Sequence, residues 1–433
     1  AGRALVRAAG LVPLIVPDPR SCTGALSAWV YGEPARALTT VGITGTNGKT
    51  TTAYLVEAIL RAAGRRTGLI GTVETRIGDE AVASVRTTPE ATDLQALLAV
   101  MRERGVEAVA MEVSSHALVL GRVDGVVYDV AVFTNLGVDH LDFHDGLEDY
   151  FAAKASLFTP ARSRHGVVNV DDPYGARLAT CTPVPVTTVS PSGRDADWVV
   201  TARTVDADAG TTFGLRSGEG SELALRSPLA GEFNVANAAL AAVACLHLGI
   251  EPGAVERGLA GALGVPGRME RVVGTGRGEP LVLVDYAHTP DAVDTVLAAL
   301  RPGVAGRLVV VLGAGGDRDR GKRPAMGAAA ARHADLVVVT DDNPRSEDPA
   351  AIRAAVVSGA CHADSRGVEV LEVPDRRTAI FAAVAATRPG DVVLVAGKGH
   401  ERGQEVAGVV HPFDDREVAR EALHARSAPG APQ

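Results

Sequence analysis

Lysine is scarce in this sequence: Lys49, Lys154, Lys322 and Lys398 are the whole complement of a 433-residue chain that carries 43 basic residues. A chain that otherwise relies on arginine is expected to keep these four for lysine chemistry. Cysteine is as rare, and Cys22, Cys181, Cys245 and Cys361 form no C-x-x-C pair, so neither a zinc site nor a disulfide framework is indicated. Aromatic residues make up only 4%, and no apolar run approaches the roughly 18 residues that span a bilayer. The apolar segment 11–16 is too short and too proline-broken for a signal peptide. Basic charge is not in excess either: 43 Lys plus Arg against 52 Asp plus Glu leave a net charge of −9, which argues against attachment to a polyanion. The expectations are a cytoplasmic location, no nucleic-acid partner and no stable membrane insertion.

What is present is a globular composition, 46% hydrophobic with 48 Gly and 24 Pro, and a length that suggests about three domains at roughly 150 residues each. From residue 38 onward, short apolar runs (40–44, 108–113, 130–135) alternate with Ala/Leu-rich helical stretches such as 51–63, the pattern of βαβ units in a parallel sheet. A second series follows the same rule, with strands read at 281–284, 307–312, 336–340 and 392–396 and helices at 290–300 and 323–332. Between them, 198–229 alternates polar and apolar residues around Gly-rich turns, which predicts antiparallel strands at one edge of the first unit. Gly261, Gly264, Pro266 and Gly267 mark a hinge over 259–267. The chain opens on Ala1 with a helix-like stretch at 2–9 and a strand-like one at 13–17, which reads as the end of a domain that begins upstream. The tail 427–433 reads as disordered.

The most informative segment is V-G-I-T-G-T-N-G-K-T-T-T over 41–52, at the end of a predicted strand and the mouth of a predicted helix. Backbone N–H groups and a helix N-terminus there can hold phosphate oxygens. Gly45, Thr46, Asn47, Gly48, Lys49, Thr50 and Thr51 form this loop, with Lys49 reaching the β and γ phosphates and Thr50 placed for Mg²⁺. Ile43 stands where the usual pattern has its first glycine, so the loop is a shortened form. A plain glycine turn would need neither the lysine nor the threonine.

This loop resembles the ATP loop of the Mur ligase superfamily, which includes the folylpolyglutamate synthetases. M-E-V-S-S-H-A-L over 111–118, F-T-N-L-G-V-D-H-L-D-F-H over 133–144 and Y-F-A-A-K over 150–154 are similar in order and spacing to the branch that adds the third residue of the peptidoglycan stem peptide. The likeness runs from about residue 31 to residue 423. It implies an α/β fold: a central P-loop-type ATPase domain with a parallel sheet (39–265), a C-terminal Rossmann-like doubly wound domain (266–426), and a remnant of an N-terminal UDP-binding domain (1–38). It also implies ATP and Mg²⁺ as cofactors and, acting as a monomer, an amide-bond ligase for small-molecule substrates.

Residue roles follow from the resemblance. Glu112 is assigned to the Mg²⁺ between the β and γ phosphates, and an oxygen ligand suits that hard cation. His140 is assigned to a second Mg²⁺. Lys154 matches a lysine that the family carbamylates to give an anion at that metal, chemistry closed to arginine because its guanidinium stays protonated. Asn234 and Asn237 match an adenine-contacting segment, and Arg268 and Asp285 match phosphate and ribose contacts; a carboxylate at the end of a buried strand lies where open α/β sheets place ligands. Thr87, Thr88, Ser114 and Arg122 match positions that hold the muramoyl dipeptide, although Leu120 stands where many relatives carry Gln. Asp342, Asn343, Pro344 and Arg345, with Gly397 and Glu401, resemble the pocket of the branch that adds meso-diaminopimelate. That amino acid differs from lysine by a carboxylate beside its distal ammonium, which Arg345 can clamp while Glu401 attracts the ammonium. The competing readings are a sister ligase adding lysine or acting on folate, and a non-catalytic nucleotide-binding scaffold.

Overall fold

The computed structural model of the chain describes residue 12 and residues 15–84, 86–206, 210–229, 231–273, 279–363 and 367–427. Two parallel-rich sheets organise it. The first has eleven strands in the order β11-β10-β9-β8-β7-β6-β1-β5-β2-β3-β4, built from β1 Thr39–Thr44, β2 Thr67–Ile70, β3 Glu74–Ile77, β4 Glu80–Ala83, β5 Ala108–Glu112, β6 Tyr128–Phe133, β7 Ser163–Asn169, β8 Val186–Ser190, β9 Trp198–Asp206, β10 Gly210–Ser217 and β11 Glu222–Ser227. At its centre β1 pairs in parallel with both β5 and β6.

The β-branched runs form strands buried on both faces, and their alternation divides them cleanly. Val41, Ile43, Ala110, Val130 and Val132 pack against helices Lys49–Ala62, Glu232–His247 and Pro252–Ala260. Val109, Met111, Ala131 and Phe133 face the other way, onto helices Ala91–Glu103, Leu147–Ala155 and Pro173–Cys181. The antiparallel strands expected over 198–229 are β9 to β11, and they form one edge of this sheet. The opposite edge, β3 and β4, was not legible, because residues 74–83 are mostly polar and only Ile77 is buried as part of the core.

The second sheet has the order β12-β13-β17-β14-β15-β16, with β12 Glu270–Val272, β13 Leu281–Asp285, β14 Leu308–Leu312, β15 Leu336–Val339, β16 Glu369–Glu372 and β17 Val392–Ala396. Only β12 runs antiparallel to its neighbour. Helices Pro290–Leu300, Lys322–His333 and Pro349–His362 cover one face, and Arg376–Ala385 and Asp415–Ser427 the other, giving the doubly wound arrangement read from the sequence. A hairpin of β18 Gly403–Val406 and β19 Val409–Pro412 stands apart.

Between the sheets, residues 261–269 belong to neither helix nor strand, as expected of the linker. A side chain at Gly267 (φ +66°) would sit 2.1 Å from the His400 nitrogen, so the linker presses on the loop after β17. At the other end, helix Pro19–Val30 is capped by the Asp18 carboxylate and packs on the first unit, Gly24 lying against Asp124. Of the strand expected at 13–17, residues 15–17 join no strand: Pro17 lacks a donor, and no described strand is there to pair with them. The helix-like stretch 2–9 and residues 428–433 of the tail lie outside the described residues.

Candidate active site

The C-terminal ends of β1, β5 and β6 open on one side of the first sheet, where an open α/β sheet binds ligands. Here β1 gives way to the loop 45–48 and then helix Lys49–Ala62. The loop needs its glycines. A side chain at Gly45 (φ +148°) would lie 1.9 Å from the Thr134 hydroxyl, and one at Gly48 (φ +86°) would lie 2.3 Å from Asn237 Oδ1. Asn135, at the end of β6, clamps the loop: its Oδ1 accepts from the Asn47 backbone at 2.9 Å, and its backbone carbonyl accepts from Thr46 at 2.9 Å.

A cavity of about 670 Å³ spreads from this loop towards the second sheet. Thr46, Asn47, Gly48, Lys49, Thr50, Thr51, Thr87, Glu112, Ser114, His140, Lys154, Asn234, Asn237, Arg268 and Asp285 all line it, so fifteen residues singled out from widely separated motifs share one space. Thr88 stands behind the wall, donating to the Glu112 carbonyl at 2.8 Å and accepting from the Ser114 backbone at 3.2 Å. Arg122 pairs with Glu90 at 2.9 Å and reaches the Thr88 carbonyl. Ser114 uses its hydroxyl to cap helix Ser115–Val119.

Both lysines of this cavity rest on neutral partners. Lys49 Nζ donates to the Gly45 and Thr46 carbonyls at 2.9 and 2.8 Å, and Lys154 Nζ donates to the same Gly45 carbonyl at 2.8 Å while lying over the Tyr150 ring. Burial lowers the pKa of Lys49, and burial together with the charge of Lys49 lowers that of Lys154 far more. Tyr150, which the sequence offered only as part of a motif, donates no charge but ties the helix to the loop through Thr46 at 3.2 Å.

Thr50 donates to the Glu112 carboxylate at 2.9 Å, and Thr72 holds the same carboxylate through its backbone at 2.7 Å and its hydroxyl at 3.1 Å. Thr72 carried no signal in the sequence, since it follows β2 in an unremarkable turn. Hydroxyl and carboxylate oxygens at the mouth of a phosphate loop fit a hard cation such as Mg²⁺. His140 adopts a left-handed conformation (φ +55°), and burial holds its pKa down at about 4, so its ring is uncharged and able to act as a ligand at neutral pH. Among the described residues, no three His, Cys, Asp or Glu side chains form a ready-made metal cluster.

From the second sheet come Asp285, which accepts from the Met269 and Ala287 backbones at 2.7 and 2.8 Å, and Arg268, which lies over the Tyr286 ring. Burial raises the Asp285 pKa. Asp291 crosses between the units, accepting from the Val138 backbone at 3.2 Å.

Asp342, Asn343, Pro344, Arg345, Gly397 and Glu401 gather at the ends of β15 and β17, outside that cavity. Asn343 is the hub. It donates to Glu401 at 2.9 Å, and its oxygen accepts from Lys398 Nζ at 3.0 Å and from the Glu405 backbone at 2.9 Å. Arg345 (φ +51°) bonds Glu405 at 3.2 Å and the Gly316 carbonyl at 2.6 Å, rather than Glu347 or Asp348. Glu347 is held instead by Arg323 at 2.8 Å, and Asp348 caps helix Pro349–His362. Gly397 (φ +117°) lets the chain pass Asp342, whose carboxylate would be 2.6 Å from an added Cβ. The sequence missed Glu405, whose hairpin lies 60 residues beyond Arg345.

Comparison with known proteins agrees with this geometry. Residues 43–245 match the Mur ligase middle domain and residues 267–399 the Mur ligase glutamate ligase domain. A Streptomyces coelicolor protein named UDP-N-acetylmuramoyl-L-alanyl-D-glutamate--2,6-diaminopimelate ligase is 60% identical over 98% of this chain and 83% of its own, and one of the same name from Synechococcus elongatus is 48% identical over 96% and 82%. A solved structure of a ligase of that name superposes with a TM-score of 0.68 at 37% identity, covering 96% of this chain and 85% of its own. The Mycobacterium tuberculosis folylpolyglutamate synthase solved with ADP and AMPPCP shares the fold, with a TM-score of 0.70 at 21% identity over 94% and 95% of the two chains. With both halves of the chain matched and near relatives aligned over almost its full length, the chain belongs to the Mur ligase family.

Proposed function

We propose that the chain is an ATP-dependent amide-bond ligase that joins meso-diaminopimelate to UDP-N-acetylmuramoyl-L-alanyl-D-glutamate in peptidoglycan precursor synthesis. The observation that carries this reading is the meeting of Lys49 and Lys154 on one loop carbonyl, that of Gly45, beside the Thr50–Glu112 pair. Lys49, parked on neutral carbonyls, is free to turn to a polyphosphate once it enters, and Lys154 stands beside it. The relatives' shared name supplies the substrates.

In the first step the γ-carboxylate of the D-glutamate attacks the γ-phosphorus of ATP, forming an acyl phosphate and releasing ADP. The amine of meso-diaminopimelate then adds to the acyl carbon, and the tetrahedral intermediate expels phosphate. Lys49 and the loop N–H groups offset charge on the transferring phosphoryl group. Thr50, Glu112 and His140 would hold Mg²⁺, which supplies further neutralisation of phosphate charge when bound. Burial, helped by the charge of Lys49, lowers the pKa of Lys154 and so favours the neutral amine, which can add to carbon dioxide with loss of a proton to give a carbamate anion. Thr87, Ser114 and Arg122 bind the muramoyl dipeptide, Asn234, Asn237, Arg268 and Asp285 the nucleotide, and Arg345 and Glu401 the distal carboxylate and ammonium of the amino acid. No helix among the described residues is long and apolar enough to cross a membrane, which suits a cytoplasmic enzyme working on soluble nucleotide-linked precursors.

The test is phosphate release with ATP, Mg²⁺ and the UDP-linked dipeptide, comparing meso-diaminopimelate with L-lysine. Turnover confined to diaminopimelate is the expected result. Preference for lysine would overturn the Arg345 assignment, and nucleotide binding without amine-dependent phosphate release would revive the scaffold reading.

A further inference from the structure

Three of the four lysines already have a role in this molecule: Lys49 and Lys154 sit at the phosphate loop, and Lys398 bonds Asn343 and Glu401. Lys322, the first residue of helix Lys322–His333, does not. It is half-buried, and its Nζ donates to the His288 carbonyl at 3.0 Å. Among the described residues no carboxylate lies within hydrogen-bonding or ion-pair reach of it, and its remaining N–H groups find no partner. Lys322 follows β14 and His288 follows β13, and β17 lies between those strands. The bond therefore crosses the end of β17, where Gly397 and Glu401 stand. The loop 313–321 that delivers Lys322 also holds Arg345, which donates to its Gly316 carbonyl at 2.6 Å. His288 in turn lines the nucleotide cavity, so the ammonium stands at the junction of that cavity and the cluster of Asp342 and Glu401. Burial lowers its pKa, and the charges of Asp139 in the cavity and Asp342 in the cluster oppose this.

The neighbouring cations are committed elsewhere. Arg345 pairs with Glu405, Arg323 with Glu347, Lys398 with Glu401 and Arg376 with Asp415, while Arg318 on the same loop is exposed. An amino acid that reaches this junction arrives with two charged ends. Arg345 and Glu401 match its distal end, so its reacting amine must point towards the cavity where the acyl phosphate forms. That amine carries a carboxylate of its own beside it. Taking a carboxylate out of water next to a phosphate is costly unless a cation meets it. A lysine ammonium is a compact charge with three donors, able to keep the His288 carbonyl and receive a carboxylate at the same time.

We propose that Lys322 is a further substrate-contacting residue, whose ammonium receives the carboxylate beside the reacting amine of the incoming amino acid. This rests on the ligase reading above and divides the work of recognition within it: Arg345 tells diaminopimelate from lysine at the distal end, whereas Lys322 holds the end that the two amino acids share.

The experiment compares Lys322→Met and Lys322→Gln with the unaltered chain, measuring the KM for meso-diaminopimelate, the inhibition constant of L-lysine as its competitor, the KM for the UDP-linked dipeptide, and ADP affinity by calorimetry. Loss of a charged hydrogen bond is expected to raise the first two by the same factor, about ten- to a hundredfold, in both variants. The dipeptide KM and the ADP affinity should stay unchanged. Glutamine can still donate to the His288 carbonyl, so its failure to restore binding separates a charge that meets substrate from a clasp that only ties two loops. An unchanged KM for meso-diaminopimelate, recovery in Lys322→Gln, an equal loss of ADP affinity, or loss of the fold in both variants by circular dichroism would overturn the inference. A loss confined to diaminopimelate would also overturn it, by showing that Lys322 reads the distal carboxylate. Absence of turnover in the unaltered chain would instead overturn the ligase reading and this inference with it.

Discussion

The two sheets of this molecule present their loops in the same way but manage charge differently. At the phosphate loop of the first unit the amines rest on neutral groups, Lys49 on the Gly45 and Thr46 carbonyls and Lys154 on Gly45, although arginines elsewhere in that unit pair with carboxylates, as Arg122 does with Glu90. Around the loops after β14, β15 and β17 of the second unit four cations have anions: Arg345 with Glu405, Arg323 with Glu347, Lys398 with Glu401, Arg376 with Asp415. Desolvating the Lys49 amine against carbonyls leaves it without a hydrogen-bonded anion, so the loop stores affinity for a polyanion. The cluster in the second unit is already neutralised, and a zwitterionic amino acid must exchange partners with existing ion pairs. One unit is built for strength and the other for discrimination.

The comparison is broken most severely at Lys49. Lys49→Met removes the cation expected to meet the phosphoryl group, and phosphate release should fall on the order of 10³-fold or more, with the fold intact by circular dichroism. Lys154→Ala should cost about as much, and a short carboxylic acid added to the assay should restore part of it by standing in for the carbamate. Lys154→Arg should not respond to the acid, because the guanidinium keeps its charge. An active Lys49→Met would refute the idea that this unit binds by uncompensated cations.

In the second unit the expected losses are smaller and selective. Arg345→Lys gives up the planar fork, and the KM for meso-diaminopimelate should rise about ten- to a hundredfold, corresponding to roughly 1.5–3 kcal/mol for a hydrogen bond to a charged group. The KM for lysine should change little, so the ratio of the two is the measurement. Equal losses on both amino acids would show that Arg345 organises the Glu405 hairpin and does not read the carboxylate.

Legibility followed the same division. The central site was readable because its chemistry is carried by contiguous segments: a loop at 45–51, a strand end at 112, a helix end at 154. Backbone geometry brings these together wherever a βαβ unit forms, and glycine and lysine mark them in the sequence. Thr72 and Asn135 escaped notice because their work is done by hydrogen bonds to Glu112 and the loop backbone, which any threonine or asparagine could make. Arg345 was legible as a residue and not as a contact. Its partner, Glu405, arrives on a two-stranded hairpin joined to it by the single bridge between Arg345 and Val406. Strands inside the sheets were legible from unbroken apolar runs, whereas β3, β4 and the hairpin are four-residue strands of mixed polar and apolar residues, with Val82, Val409 and Val410 exposed, and gave no such signal.

A milder perturbation tests the loop geometry. Gly48→Ala places a Cβ 2.3 Å from Asn237 Oδ1 at φ +86°, so the loop must shift or strain by about 1–2 kcal/mol. ADP affinity should drop roughly tenfold, with a decrease of a few degrees in melting temperature. Retained affinity would mean that the loop can yield beside Asn237 without losing its hold on the nucleotide.

The smallest effect separates the units by acid. His165 and His247 stack at 3.6 Å between ring centres on the flank of the first unit, and burial, with the neighbouring ring, pushes His165 from 6.5 down to about 4. Between those values the unfolded chain binds a proton that the folded chain refuses, so stability is complete above pH 6.5 and is lost as pH falls towards 4. In the second unit, hydrogen bonding by Arg323 and the Asp317 backbone holds Glu347 at about 2 against 4.5, and its contribution is lost only as pH falls through that lower window. The first unit should therefore loosen first. Both tryptophans, Trp29 and Trp198, lie on its side of the linker, so their fluorescence reports it alone while circular dichroism reports the whole chain. His165→Gln keeps a partner for Thr187, which now bonds the ring at 2.9 Å, and should flatten the fluorescence-detected pH dependence between 6.5 and 4. An unchanged slope would assign the acid sensitivity to other groups and remove this distinction between the two units.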